Sequence, residues 1–193
     1  MAKLTLTTAA TERPLTIDEV ASHLNEDRES EYAALNRLIE VATTSLQNRY
    51  GTQFCTASFT QYFDGWSFGL LELSRHPVVS ITSLKYTDTS GSLQTVADTV
   101  YELGDDAGRG IVRLKYNQQW PSGNRGHVDD INVVYSVGYG TRADVPEPIR
   151  QALLLTIADL YKYRETTTPE KVNTSMTRAV EHLMAGYSFK AIG

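Results

Sequence analysis

Asp105, Asp106, Asp129 and Asp130, with His127 close to the second pair, are the side chains whose types could bind a metal or exchange protons. Acid/base catalysis needs two such groups converging on one reacting centre, one to give a proton and one to take it. Asp129 and Asp130 are adjacent at the start of a stretch that reads as a strand, and adjacent strand residues point to opposite faces. They are therefore expected to be solvated charges at a strand edge. His23, His76, His127 and His182 are scattered, without H-x-x-H or HExxH spacing, and Cys55 is the sole cysteine. No zinc ligand set assembles locally from that inventory. The run Gly104-Asp-Asp-Ala-Gly-Arg-Gly110 has the glycine content of a phosphate loop. It lacks the closing Lys-Ser/Thr and leads into a strand, whereas phosphate sites use a helix N-terminus, so a β turn is expected. Cys55 has no second thiol for an intrachain disulfide and is expected to be buried and inert. Asn173-Thr174-Ser175 matches a glycosylation sequon, but the N-terminus has no apolar export segment to bring it to that machinery. These readings predict no catalytic residues, no cofactor and no metal. A small hydrolase or nucleotide binder is the alternative, and it requires the four aspartates to meet in one cleft.

The chain that must position these residues has 193 of them, 41% hydrophobic, which is enough for a proper core. Eighteen Lys and Arg stand against 23 Asp and Glu, a net charge of -5, which argues against a protein that grips phosphate backbones. The longest apolar run, Ala152 to Ile157, is interrupted by Thr156 and is far shorter than a bilayer span. A soluble, cytosolic protein with no membrane partner is expected.

Thr16 and Glu19 form a capping-box pair ahead of Ile17, Val20, Ala21 and Leu24, which fall on one helical face. A second helix from near Asp27 carries Tyr32, Leu35, Leu38, Ile39, Ala42 and Leu46 as a stripe and ends at Gly51. From Gln53 the period falls to about two. Short strands follow at 70–73, 78–86, 93–96, 101–103, 111–114 and 131–135, joined by connections too short for βαβ crossovers, so an antiparallel meander or small barrel is expected. A helix returns over 146–164. Ile149, Ala152, Leu153, Ile157, Leu160 and Tyr161 share one broad face of it, yet Leu154, Leu155 and Ala158 lie outside that face. Such surplus apolar area suits either a helix enclosed by its own domain or a subunit contact; Leu154, Leu155 and Ala158 are the expected interface residues. The threonine-rich segment 165–175, broken by Pro169, reads as a flexible linker. Met176, Val180, Leu183, Met184, Tyr187 and Phe189 then form a last apolar pattern too small to bury itself, so residues 176–193 are expected to dock, on their own core or on another protein. The fold class expected is α+β. It is a single domain over 1–193, with a small helical core from 15–51 and 146–164, a C-terminal helix and an antiparallel β insertion over 53–140.

Three blocks of the sequence resemble the head-tail connector, or adaptor, family of tailed bacteriophages. The first is Leu15-Thr-Ile-Asp-Glu-Val-Ala-Ser-His-Leu-Asn25 followed by a long helix ending at Tyr50-Gly51. The second is Leu73-Ser-Arg-His-Pro-Val78 running through a strand to the turn at Asp88 and Gly91. The third is Tyr135, Gly138-Tyr-Gly140, Val145-Pro146, Ile149, Ala152, Tyr161 and Arg164-Glu165. The segment Ala179-Val-Glu-His-Leu-Met-Ala185 is similar to the family ending. The resemblance implies a structural, non-enzymatic protein of the virion neck. Its partners would be copies of itself in a dodecameric ring, the portal protein above, and a head-closure or tail-neck protein below. Genomic DNA would pass through the lumen as non-specific cargo. The resemblance further implies that the C-terminal segment reaches the portal through Val180, Leu183, Met184, Tyr187 and Phe189. Head-closure and tail-terminator rings are the alternatives, and the helices at both ends of this chain speak against those β-dominated proteins.

Overall fold

The fold is that of a computed structural model, which describes residues 3–26, 29–66, 70–106, 108–123, 126–162 and 174–188. It is α+β, with helices and antiparallel sheets. The chain divides into two compact units, one of Met1–Thr11 and Thr56–Gly138, the other of Glu12–Cys55 and Tyr139–Gly193.

The first unit is built from strands. Among the described residues these are β1 (Leu4–Thr8), β2 (Ala57–Phe63), β3 (Leu70–Glu72), β4 (Val78–Thr87), β5 (Leu93–Thr95), β6 (Tyr101–Asp106), β7 (Arg109–Leu114) and β8 (Ile131–Val137). They form a five-stranded sheet in the order β1-β2-β8-β4-β5 and a three-stranded sheet in the order β3-β7-β6. Every pairing is antiparallel, but β8 lies between β2 and β4, so neither sheet is the simple meander expected from the spacing of the strands. The register explains where the core sits. Ala57, Phe59 and Gln61 of β2 stand opposite Val137, Tyr135 and Val133 of β8, and Leu84 of β4 stands opposite Val133 from the other side. Alternation puts this row on one face, where it joins Leu71 of β3, Tyr101 of β6 and Val112 of β7 in one buried cluster. Each fully buried apolar side chain of this cluster contributes about 1.5–3 kcal/mol. Gly110 sits where the sheet allows no side chain: a Cβ there would lie 2.3 Å from Val78 Cγ2.

Gln61 is a polar residue in this apolar row and is only 1% exposed. Its amide is satisfied on both ends: Nε2 donates to the Glu72 carbonyl at 2.9 Å, and Oε1 accepts from the Ser74 N–H at 2.8 Å and from the Tyr135 hydroxyl at 3.1 Å. One side chain thus ties β2 to the end of β3 and to β8. Trp66 and Trp120 stack at 4.6 Å between centroids with nearly parallel rings, and pack partly buried against the same core.

The second unit is helical. Its elements are α1 (Ile17–Leu24), α2 (Tyr32–Tyr50), α3 (Glu147–Lys162) and α4 (Thr174–Met184). Thr16 and Glu19 make the expected reciprocal cap at the start of α1, and Asn25 closes it in the left-handed conformation. Gly51, at φ 69°, terminates α2, a conformation that a residue with a Cβ resists. The helix expected from near Asp27 begins at Tyr32, after a 3₁₀ turn over Glu29–Glu31. α3 contacts α1, α2 and α4, and Ile149, Ala152, Leu153 and Ile157 are buried along it. The segment 165–175, expected to be a linker, falls mostly outside the described residues; Thr174 and Ser175 belong to α4.

Candidate functional site

The four aspartates have separate structural duties. Asp105 Oδ1 accepts from the Gly108 N–H at 2.7 Å, closing the β6–β7 turn that Asp106 and Arg109 flank as a pair. Asp129 adopts a left-handed backbone, φ 62°, takes the Lys3 ammonium at 3.1 Å and donates its N–H to Asp64. Asp130 departs from the expectation of a solvated charge: it is 1% exposed and accepts from the His127 N–H at 2.6 Å. Burial without such bonds would be costly for a carboxylate, so Asp130 fastens the turn that enters β8. Among the described residues no cluster of three His, Cys, Asp or Glu side chains is placed to hold a metal ion. None of their helices is long and apolar enough to cross a membrane. Cys55 is 3% exposed, and burial, with Glu12 nearby, pushes its thiol up to about 11. It stays protonated and unreactive at neutral pH.

His76 is 3% exposed, and its Nδ1 accepts from the Gly110 N–H at 3.4 Å. Burial, opposed by Glu72 and Asp105 and reinforced by Arg109, lowers its pKa from 6.5 to about 4. The unfolded chain therefore binds a proton between these values that the folded chain refuses. The stabilising contribution is fully present above about pH 6.5 and is lost as pH falls towards about 4. Urea midpoints of the β unit are expected to fall steadily across that window. His76→Asn, which keeps an acceptor but cannot ionise, is expected to flatten the slope; an equally steep slope in the variant would assign it to other groups.

Two open clefts among the described residues lie on the helical unit. Between α1 and α3 an open cleft of about 560 Å³ is lined by Leu15 and Leu154 and rimmed by Asp18, Glu19, Ser22, His23, Glu147 and Arg150. Arg150 is the organising cation. It bonds Glu19, lies 3.3 Å from Glu147, and reaches the carbonyls of Pro14 and Arg142 at 3.4 Å. Partial burial pushes the Glu19 carboxyl up, but hydrogen bonds from Thr16 and the Arg150 charge outweigh it, and the net shift is down. Of the expected interface residues, Leu154 lies in this cleft, and Leu154, Leu155 and Ala158 are all half-buried. Of the expected docking residues, Val180 and Met184 are 8% and 0% exposed on α4, which packs against α3. Leu183 and Tyr187 are half-buried. Tyr187 meets the Tyr139 ring edge-on at 6.3 Å, and its carbonyl accepts from the Thr52 hydroxyl. Phe189 lies outside the described residues. Sequence reasoning missed Arg150 as the centre of this network; its position one turn after Glu147, facing a capping-box glutamate, was the available signal.

The fold defined by these two units recurs in solved structures. Over 99% of this chain and 98% of the other, with 21% identity and a TM-score of 0.79, it matches a chain from the neck of an empty gene transfer agent particle with C6 symmetry. A chain of the native gene transfer agent virion matches at 20% identity and TM-score 0.78, over 98% and 97% of the two chains. A third, from the neck of the native particle with C12 symmetry, matches at 21% identity and TM-score 0.77, over 99% and 98%. No protein-family model matches the sequence, and no curated protein matches it.

Proposed function

We propose that this chain is a structural subunit of the neck of a tailed-phage-like particle. In this reading it is a head-tail connector whose copies close into a dodecameric ring under the portal protein, join capsid to tail neck, and let DNA pass through the lumen. The observation that carries the reading is the likeness, over nearly the whole chain, to gene transfer agent neck chains from reconstructions computed with C6 and C12 symmetry. The helices at both ends favour a connector over a β-dominated head-closure or tail-terminator ring. A structural rather than catalytic role agrees with Asp105, Asp129 and Asp130 each being committed to a turn. A net charge of -5 per subunit, repeated around a channel, would discourage DNA from adhering during passage. The portal partner is assigned to the C-terminal part of the chain, where the half-buried Leu183 and Tyr187, rather than the enclosed Val180 and Met184, offer apolar surface.

Electron microscopy of the purified chain incubated with portal rings tests the proposal. Stacked rings with one continuous channel are expected. Portal rings that emerge bare at saturating concentrations of the chain would reject the connector role.

A further inference from the structure

Two surfaces of the helical unit complement each other. The first is the side of α2 turned away from its own core. At about 100° per residue, Arg37 and Val41 lie opposite the buried stripe of Leu35, Ile39, Ala42 and Leu46. Val41 is 54% exposed, and Arg37, one turn before it, is exposed and has no ion-pair partner among the described residues. The second surface is the α1–α3 cleft. Its apolar side is Leu15 and Leu154, and its rim holds Asp18, Glu19 and Glu147 against the single cation Arg150. Arg150 is already held by Glu19 and Glu147, which leaves the rim with an excess of negative charge centred on exposed Asp18.

We infer that α2 of one copy seats on the α1–α3 cleft of the next, with Val41 against Leu154 and Arg37 beside Asp18 and Glu147. The inference rests on the ring reading above and names the contact that builds the ring. A ring contact is heterologous, so one chain must carry two different faces that fit each other. Here an exposed valine and a guanidinium with no ion-pair partner among the described residues stand on one face, and a half-buried leucine beneath carboxylates on the other. Both faces belong to one compact unit, so each copy presents them on the same scaffold. The apolar pair supplies the desolvated centre, and the charges at the rim fix register and suppress wrong pairings.

Sedimentation velocity of the full chain, with far-UV circular dichroism as the folding control, tests the contact through Arg37→Glu, Asp18→Arg and the double variant. Each single reversal is expected to weaken self-association at least tenfold with unchanged dichroism. The double variant, which restores opposite signs, is expected to return to within about threefold of the original chain. Single variants that associate as tightly as the original overturn this contact and leave the ring reading standing. A double variant as weak as the singles overturns the pairing as well. An original chain that stays monomeric at every concentration overturns the ring reading itself, and the contact with it.

Discussion

Gln61→Leu is expected to destabilise the β unit by roughly 4 kcal/mol. The replacement has a similar volume, so little of the loss comes from a cavity. It comes from the Ser74 N–H and the Glu72 carbonyl, which lose their bonds to the amide in an enclosed place, and from the Tyr135 hydroxyl, which loses one of its bonds but keeps the backbone of Ser74 and Arg75. Leaving one such group unsatisfied costs about 1–3 kcal/mol, and Tyr135 and Gln61 are 0% and 1% exposed, which limits rescue by water. The loss is a large share of the roughly 5–15 kcal/mol that holds a domain folded. Tyr135→Phe removes the hydroxyl together with its bond to Gln61 and its bonds to the backbone of Ser74 and Arg75, and is expected to cost about 1–2 kcal/mol. Urea unfolding followed by the fluorescence of Trp66 and Trp120, which pack on this core, reads both variants. A Gln61→Leu chain within about 1 kcal/mol of the original would show that the amide does not tie the sheets together.

Leu153→Ala is expected to cost the helical unit about 3 kcal/mol, within the range of about 2–5 for a buried leucine. Leu155→Ala is expected to cost about 1 kcal/mol, because that side chain is half-buried and less apolar contact is removed. The physical ground is the position of α3, which has α1, α2 and α4 around it and Leu153 at 0% exposure. The helix that was too apolar for one wet face is largely enclosed by its own unit, and Leu154 is the leucine that opens onto a cleft. Far-UV circular dichroism during thermal or urea unfolding separates the two variants; equal losses would mean that Leu153 and Leu155 are enclosed alike.

Local signals were the legible ones. The capping box at Thr16 and Glu19, the glycine stop at Gly51 and the strand periodicity each depend on neighbours a few residues away, and each is realised in the structure. Strand β1 was missed although Leu4-Thr-Leu-Thr-Thr8 alternates, because so short a segment gains its place only by pairing with β2, more than fifty residues on. The division into two sheets was equally hidden, since β8 pairs on both sides with strands far away in sequence. Asp130 was misread for a related reason. Adjacency predicted divergent side chains, but the burial of one of them and its bond to His127 are set by how the turn folds back before β8. On α4 the stripe containing Val180 and Met184 was legible as apolar; that these two residues are buried on a helix packed against α3 is a tertiary fact that no local pattern carries.

Native mass spectrometry of the purified full chain tests the central claim most directly. A subunit of a closed ring is expected to appear as one dominant species at a fixed integer multiple of the 21.5 kDa chain mass, with no ladder of intermediates, because closure satisfies every heterologous face at once. A spectrum containing only the 21.5 kDa monomer, or an open-ended ladder of lengths, would contradict it.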